Sequence, residues 1–200
     1  MGFLKKLFGK RQSPVIIVSG LPRSGTSMMM RMLEKGGLSL LVDGIRTPND
    51  DNPQGYFEFE RVKKLPEGDI AWLPDAPGKA VKIIAALLAH LPNAYTYRVL
   101  FMRRKMDEIL ASQRRMLERR GEDSDAVDDA EMARLFEAHV AQVHKWMDQQ
   151  PYVTYLDVDY NEVLADPVLS LAQVDDFLEL SLDLEAMTAV VDPTLYRQRA

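Results

Sequence analysis

Two groups of residues in this 200-residue chain have the types and spacing to hold anions. The first is Gly20-Leu21-Pro22-Arg23-Ser24-Gly25-Thr26-Ser27. Two glycines separated by four residues and followed by two hydroxyls match a phosphate-binding loop, whose backbone N–H groups and following helix start converge on one anion. The position that holds Lys in nucleoside triphosphatases holds Thr26, and Arg23 offers a planar fork of donors in its place. A glycine turn that merely opens a helix has the same spacing. The apolar run Val15 to Val18 before it and the helical pattern Thr26 to Lys35 after it favour anion binding. In the second group, Arg103-Arg104 closes the β-rich run Tyr97 to Met102, and Ser112 stands eight residues after Arg104. An Arg at a strand tip and a Ser about two turns into the next helix can approach one phosphate. Arg103 and Arg115 read instead as part of a solvated helix face with Asp107 and Glu108 nearby.

At Pro22 to Ser27, and at Arg104 with Ser112, the chain resembles the sulfotransferase superfamily. The resemblance implies that Arg23, Ser24, Gly25, Thr26 and Ser27 cradle the 5′-phosphosulfate of 3′-phosphoadenosine 5′-phosphosulfate (PAPS), while Arg104 and Ser112 hold its 3′-phosphate. An Arg in the loop is similar to tyrosylprotein and small bacterial sulfotransferases. Val158-Asp159-Tyr160, followed by Val163 to Pro167, looks like the family's segment with a Tyr near the adenine, which implicates Tyr160. An aromatic covering a helix start is the equal alternative. Arg197 and Arg199 stand where related proteins return a basic loop to the nucleotide, and they read equally as a frayed cationic tail.

Sulfuryl transfer needs in-line positioning, neutralisation of the leaving group and a base, and by that logic requires no metal. Arg23 can stabilise charge as the bond breaks. Lys82, which interrupts the apolar run Ala80 to Ile84, resembles the Lys that family members direct at the transferring group. An edge-strand lysine facing water is its plain alternative. Cytosolic members place a His shortly after that Lys, and Ile84 stands there in this chain. A carboxylate, as in tyrosylprotein and heparan sulfotransferases, is therefore expected, and Asn52 to Glu60 offers Glu58 and Glu60. Glu58 is the first choice, with a carboxylate at a helix N-terminus as the competing reading. The expected activity is transfer from PAPS to a hydroxyl or amine on a small molecule, glycan or peptide.

Short β-rich runs alternating with helices must position these residues. Ala80 to Ile84 precedes a helix to His90, Arg98 to Met102 precedes one from about Met106 to Arg120, and Val153 to Val158 precedes Asn161 to Leu180. A further helix runs from about Glu131 to Gln150, after the acidic stretch Glu122 to Asp129. This alternation predicts an α/β fold with a central, mostly parallel sheet flanked by helices. The resemblance makes it a three-layer fold like that of P-loop nucleoside triphosphatases. Ligands then collect at the carboxyl ends of the strands.

Residues 14–200 are expected to form one such domain after a basic amphipathic leader over 1–13, which at most touches an anionic membrane surface weakly. A net charge of −5 argues against a general nucleic-acid binder, so any anion site is local. The absence of cysteine suits a cytoplasmic protein, and three scattered histidines argue against a metal site. Oligomeric state stays open, a homodimer included. Two other functions compete. A kinase-like or nucleoside triphosphatase enzyme would want Lys at position 26 and an Asp for Mg²⁺, a role Asp157 or Asp159 can imitate. A non-catalytic nucleotide binder would keep the loop alone.

Overall fold

The computed structural model describes residues 13–45, 55–122 and 128–191. The leader up to residue 12, Asn52 to Gln54, and Arg197 with Arg199 lie outside the described residues. The β-rich runs form four strands, β1 (Val15–Gly20), β2 (Ala80–Lys82), β3 (Tyr97–Arg103) and β4 (Val153–Asp159). All are parallel, in the order β2-β1-β3-β4. All six β1 residues are buried, as a strand covered on both faces requires of a near-continuous apolar run.

Alternate residues of the sheet feed two cores. Ile16, Val18, Leu100 and Met102 pack with helices α1 (Thr26–Lys35) and α5 (Pro167–Leu178). Met29, Met30 and Met32 are fully buried there, so the methionine-rich face of α1 is core. Val15, Ile17, Val99 and Phe101 pack on the other side with Ile109 of α2 (Met106–Arg120) and with Val140, Val143 and Met147 of α3 (Asp129–Asp148). Three-residue-per-turn segments at Glu60–Glu67 and Ala85–His90 complete that layer. The result is a three-layer α/β fold with a central parallel sheet.

Two expected helices take a different form. The segment before His90 is a 3-10 helix, not an α-helix. The run from Asn161 to Leu180 divides into α4 (Tyr160–Ala165) and α5, because Pro167 has no N–H for the ladder and its ring disfavours helical backbone before it. Asp166, at φ −139°, restarts the helix by accepting from the Leu169 N–H at 3.1 Å. A short helix, α6 (Leu184–Thr188), closes the described chain. Among the described residues no helix is long and apolar enough to cross a membrane.

Candidate anion and transfer site

The loop after β1 turns through three residues of positive φ, Gly20, Arg23 and Gly25. Gly20 has φ 146°, and a Cβ there would lie 2.6 Å from Ser24 Oγ and 2.7 Å from the Met102 carbonyl. Arg23 is itself left-handed, at φ 70°. Ser24 is buried and turned inward: its hydroxyl donates to the Leu21 carbonyl at 2.7 Å, so it shapes the turn. Gly25 caps α1 in the left-handed region, no side chain caps that helix, and no acid occupies its first turn. The leading N–H groups and positive end of α1 therefore meet the loop, with half-buried Thr26 and Ser27 beside them.

Arg23, Arg104 and Ser112 converge. Arg23 Nε donates to Ser112 Oγ at 2.9 Å, and Arg104 Nη1 donates to the Arg23 carbonyl at 3.1 Å. The sequence pairs Ser112 with Arg104. The structure puts the Arg23 side chain against Ser112 and bonds Arg104 to the Arg23 backbone.

Arg104 is also the centre of a buried polar stack. Its Nε donates to Glu108 Oε2 at 2.8 Å, and the guanidinium lies 4.4 Å from the centre of the Tyr160 ring. Glu108 is 1% exposed, and its other oxygen accepts from Asn161 Nδ2 at 2.9 Å. The edge of Tyr160 presses on Gly25, where an added Cβ would meet the ring at 2.5 Å. Burial pushes the Tyr160 phenol up, and the Arg104 charge opposes that shift. Glu108 and Asn161 are the residues sequence reading missed. The Arg104–Glu108 spacing of four is visible in the sequence, but it reads as a solvated pair worth a few tenths of a kcal/mol. Burial changes its weight, since breaking a buried pair costs about 3–5 kcal/mol. Arg103, by contrast, meets Asp157 at 3.4 Å with both side chains over 40% exposed, an arrangement worth at most about 1 kcal/mol.

Lys82 and Glu58 form a second cluster at the end of β2. Lys82 is paired in register with Val18, two residues before Gly20. Although β2 is the edge of the described sheet, the Lys82 side chain is only 10% exposed. Its ammonium donates to the Tyr56 carbonyl and lies 3.8 Å from the Glu58 carboxylate. Glu58 stands before the 3-10 segment that starts at Glu60, outside its first turn, and is largely covered. Asp43 pins this stretch: its N–H donates to the Glu58 carbonyl at 3.2 Å and its carboxylate accepts from the Glu60 N–H at 2.5 Å.

The carboxylates able to imitate a magnesium ligand are otherwise engaged. Asp159 caps α4 through the Asn161 and Glu162 N–H groups. Asp157 meets both His144, at 2.8 Å, and Arg103. Among the described residues no group of three or more His, Asp or Glu is arranged to hold a metal ion. His90, at the end of its 3-10 segment, is exposed.

The family model described as "Sulfotransferase family" matches residues 51–184, about two thirds of the chain, beginning after the phosphate loop. Among solved structures, the sulfotransferase domain of the Synechococcus PCC 7002 olefin synthase is similar, with 18% identity, a TM-score of 0.54, and coverage of 96% of this chain and 86% of that one. The sulfotransferase domain from the curacin biosynthetic pathway gives 16% identity, a TM-score of 0.52, and coverage of 88% and 77%. A sulfotransferase from Mycobacterium avium gives 12%, 0.52, and coverage of 96% and 70%. At these identities the likeness establishes the fold. No curated protein matches the sequence.

Proposed function

This chain belongs to the sulfotransferase family, and we propose that it transfers a sulfuryl group from PAPS to an acceptor hydroxyl or amine, with Glu58 as base. The observation that supports this most strongly is the convergence of Arg23, Arg104 and Ser112 on an uncapped helix start. The donor set suits a doubly phosphorylated nucleotide: backbone N–H groups with Thr26 and Ser27 for the phosphosulfate, and Arg104 with Ser112 for the 3′-phosphate. PAPS supplies an electrophilic sulfur: the acceptor oxygen or nitrogen bonds to it as the bridging S–O bond breaks, and the electron pair leaves on adenosine 3′,5′-bisphosphate. Arg23 and Lys82 neutralise charge where that bond breaks, and the Glu58 carboxylate takes the acceptor's proton. The Lys82 ammonium, 3.8 Å from the carboxylate, holds Glu58 in place beside the loop that carries Arg23. Tyr160, stacked beneath Arg104 and against Gly25, braces the nucleotide site. A cytoplasmic location and Arg197 as a further nucleotide contact accompany this reading.

Calorimetry with adenosine 3′,5′-bisphosphate and with ATP, each with and without Mg²⁺, tests it. The bisphosphate should bind tightly without Mg²⁺ and ATP weakly, whereas preference for ATP with Mg²⁺ would favour a phosphotransferase and sink the proposal. Glu58→Gln should keep bisphosphate affinity within about twofold and slow transfer by on the order of 10²–10⁴, the usual contribution of a positioned base. A Glu58→Gln variant that turns over like the wild type would remove Glu58 from the chemistry.

A further inference from the structure

We propose that Asp43 is a positioning residue for Glu58: it holds the backbone that leaves Glu58 and ties it to the strand that carries Lys82. This rests on the reading of Glu58 as the base. Three hydrogen bonds carry the assignment. The Asp43 N–H donates to the Glu58 carbonyl at 3.2 Å, its Oδ2 accepts from the Glu60 N–H at 2.5 Å, and its Oδ1 accepts from the Ile45 N–H at 3.1 Å. The first two grip the peptide groups on either side of Phe59, directly after Glu58. The third closes a turn through Gly44, at φ 67°, and fixes the direction of the carboxylate. Both bonds to the carboxylate are charge-assisted, the stronger kind.

The chain around Glu58 needs such a hold. Phe57, just before it, is a bulky residue at φ 51°, backbone that persists only where the surroundings impose it. Phe57 packs on the core that contains α1, whereas Phe59 packs on the opposite core with its ring 5.6 Å from Trp72, edge to face. Glu58 therefore sits where the chain crosses from one layer to the other. The stretch that carries Asp43 is in turn bonded to β2: the Ala80 N–H donates to the Ser39 carbonyl at 2.9 Å, and the Leu41 N–H donates to the Ala80 carbonyl at 2.8 Å. Ala80 stands two residues before Lys82 on that strand. One short stretch, 39–43, is thus fastened both to the strand of Lys82 and to the segment of Glu58, and so helps to set the 3.8 Å between their charged groups. A base is effective only within a narrow range of positions, and a misplacement of about 1 Å costs on the order of 100-fold.

Bisphosphate release from PAPS with tyramine, whose phenol and amine cover both acceptor classes, provides the test. Asp43→Ala should lower kcat about 10–100-fold while the KM for PAPS and the affinity for adenosine 3′,5′-bisphosphate stay within about twofold. Asp43→Asn keeps one acceptor oxygen and should lie about 3–10-fold below the wild type; it decides the matter if Asp43→Ala does not fold. In a Glu58→Gln background either change should alter kcat by less than about twofold, because Asp43 acts through Glu58. Asp69→Ala is the structural control. It removes the ion pair with Arg61 from the same 3-10 segment without touching the Glu58 backbone, and should leave kcat within about twofold of the wild type. Wild-type turnover in Asp43→Asn, losses that multiply in the double variant, or an equal loss in Asp69→Ala would each overturn the assignment. A Glu58→Gln variant as fast as the wild type, or a wild type that releases no bisphosphate, would overturn the parent reading, and this one with it.

Discussion

Arg104→Ala should destabilise the protein by about 3–5 kcal/mol, the cost of leaving a buried charge without its partner. Glu108 is the reason. At 1% exposure, and with the neutral Asn161 amide on its other oxygen, its carboxylate cannot turn to water when the guanidinium is gone. A loss of that size is a large part of the 5–15 kcal/mol that holds a typical domain together, so urea unfolding should show a midpoint far below that of the wild type. Replacing both partners by apolar residues, as in Arg104→Met with Glu108→Leu, should restore most of the stability, since a well-packed apolar pair removes both desolvation costs. That restored protein should still bind adenosine 3′,5′-bisphosphate poorly, which separates the structural role of Arg104 from its proposed role on the ligand. An Arg104→Ala variant within 1 kcal/mol of the wild type would mean that Glu108 is not buried in solution. The Arg114–Asp129 pair at 2.6 Å gives the contrast, because both side chains are nearly half exposed and Arg114→Ala should cost at most about 1 kcal/mol.

Gly25→Ala should lower bisphosphate affinity about 100-fold, roughly 2.8 kcal/mol at 1.4 kcal/mol per tenfold. Two effects combine. A side chain at φ 100° costs on the order of 1–2 kcal/mol by itself, and the added Cβ would stand 2.5 Å from Tyr160. Tyr160 has no easy retreat, because Arg104 lies over its ring and the residue is 8% exposed. Relief must come from the loop, whose N–H groups then lose their common focus. Gly37→Ala is the matched control: its φ is 92°, but nothing lies within 4 Å of the added Cβ. It should cost about 1–2 kcal/mol of stability and leave nucleotide affinity alone. If the two variants bind the bisphosphate equally well, the close packing of Gly25 on Tyr160 has no part in shaping the anion site.

The parts of the site legible in the sequence are those written by neighbours in the chain. Strand, glycine loop and helix follow one another between Val15 and Lys35, and apolar periodicity with glycine spacing determined that unit, its parallel sheet and its place at a strand end. The elements that carry Arg104 and Ser112, a strand end and the helix after it, are legible in the same way. What only the tertiary structure decided is which side chains meet across long separations. Arg23 and Ser112 are 89 positions apart, and Glu108 and Asn161 are 53 apart. No local pattern encodes such a meeting, because it depends on how α2 and α4 pack against the ends of the sheet. Burial is decided there too: Glu108 reads as a solvated helix residue until α4 covers it, and Lys82 as an edge lysine until the Tyr56–Glu58 segment folds over β2. Periodicity reports which face of an element is apolar. The dielectric around a charge on that element is set by whatever the fold lays on top of it.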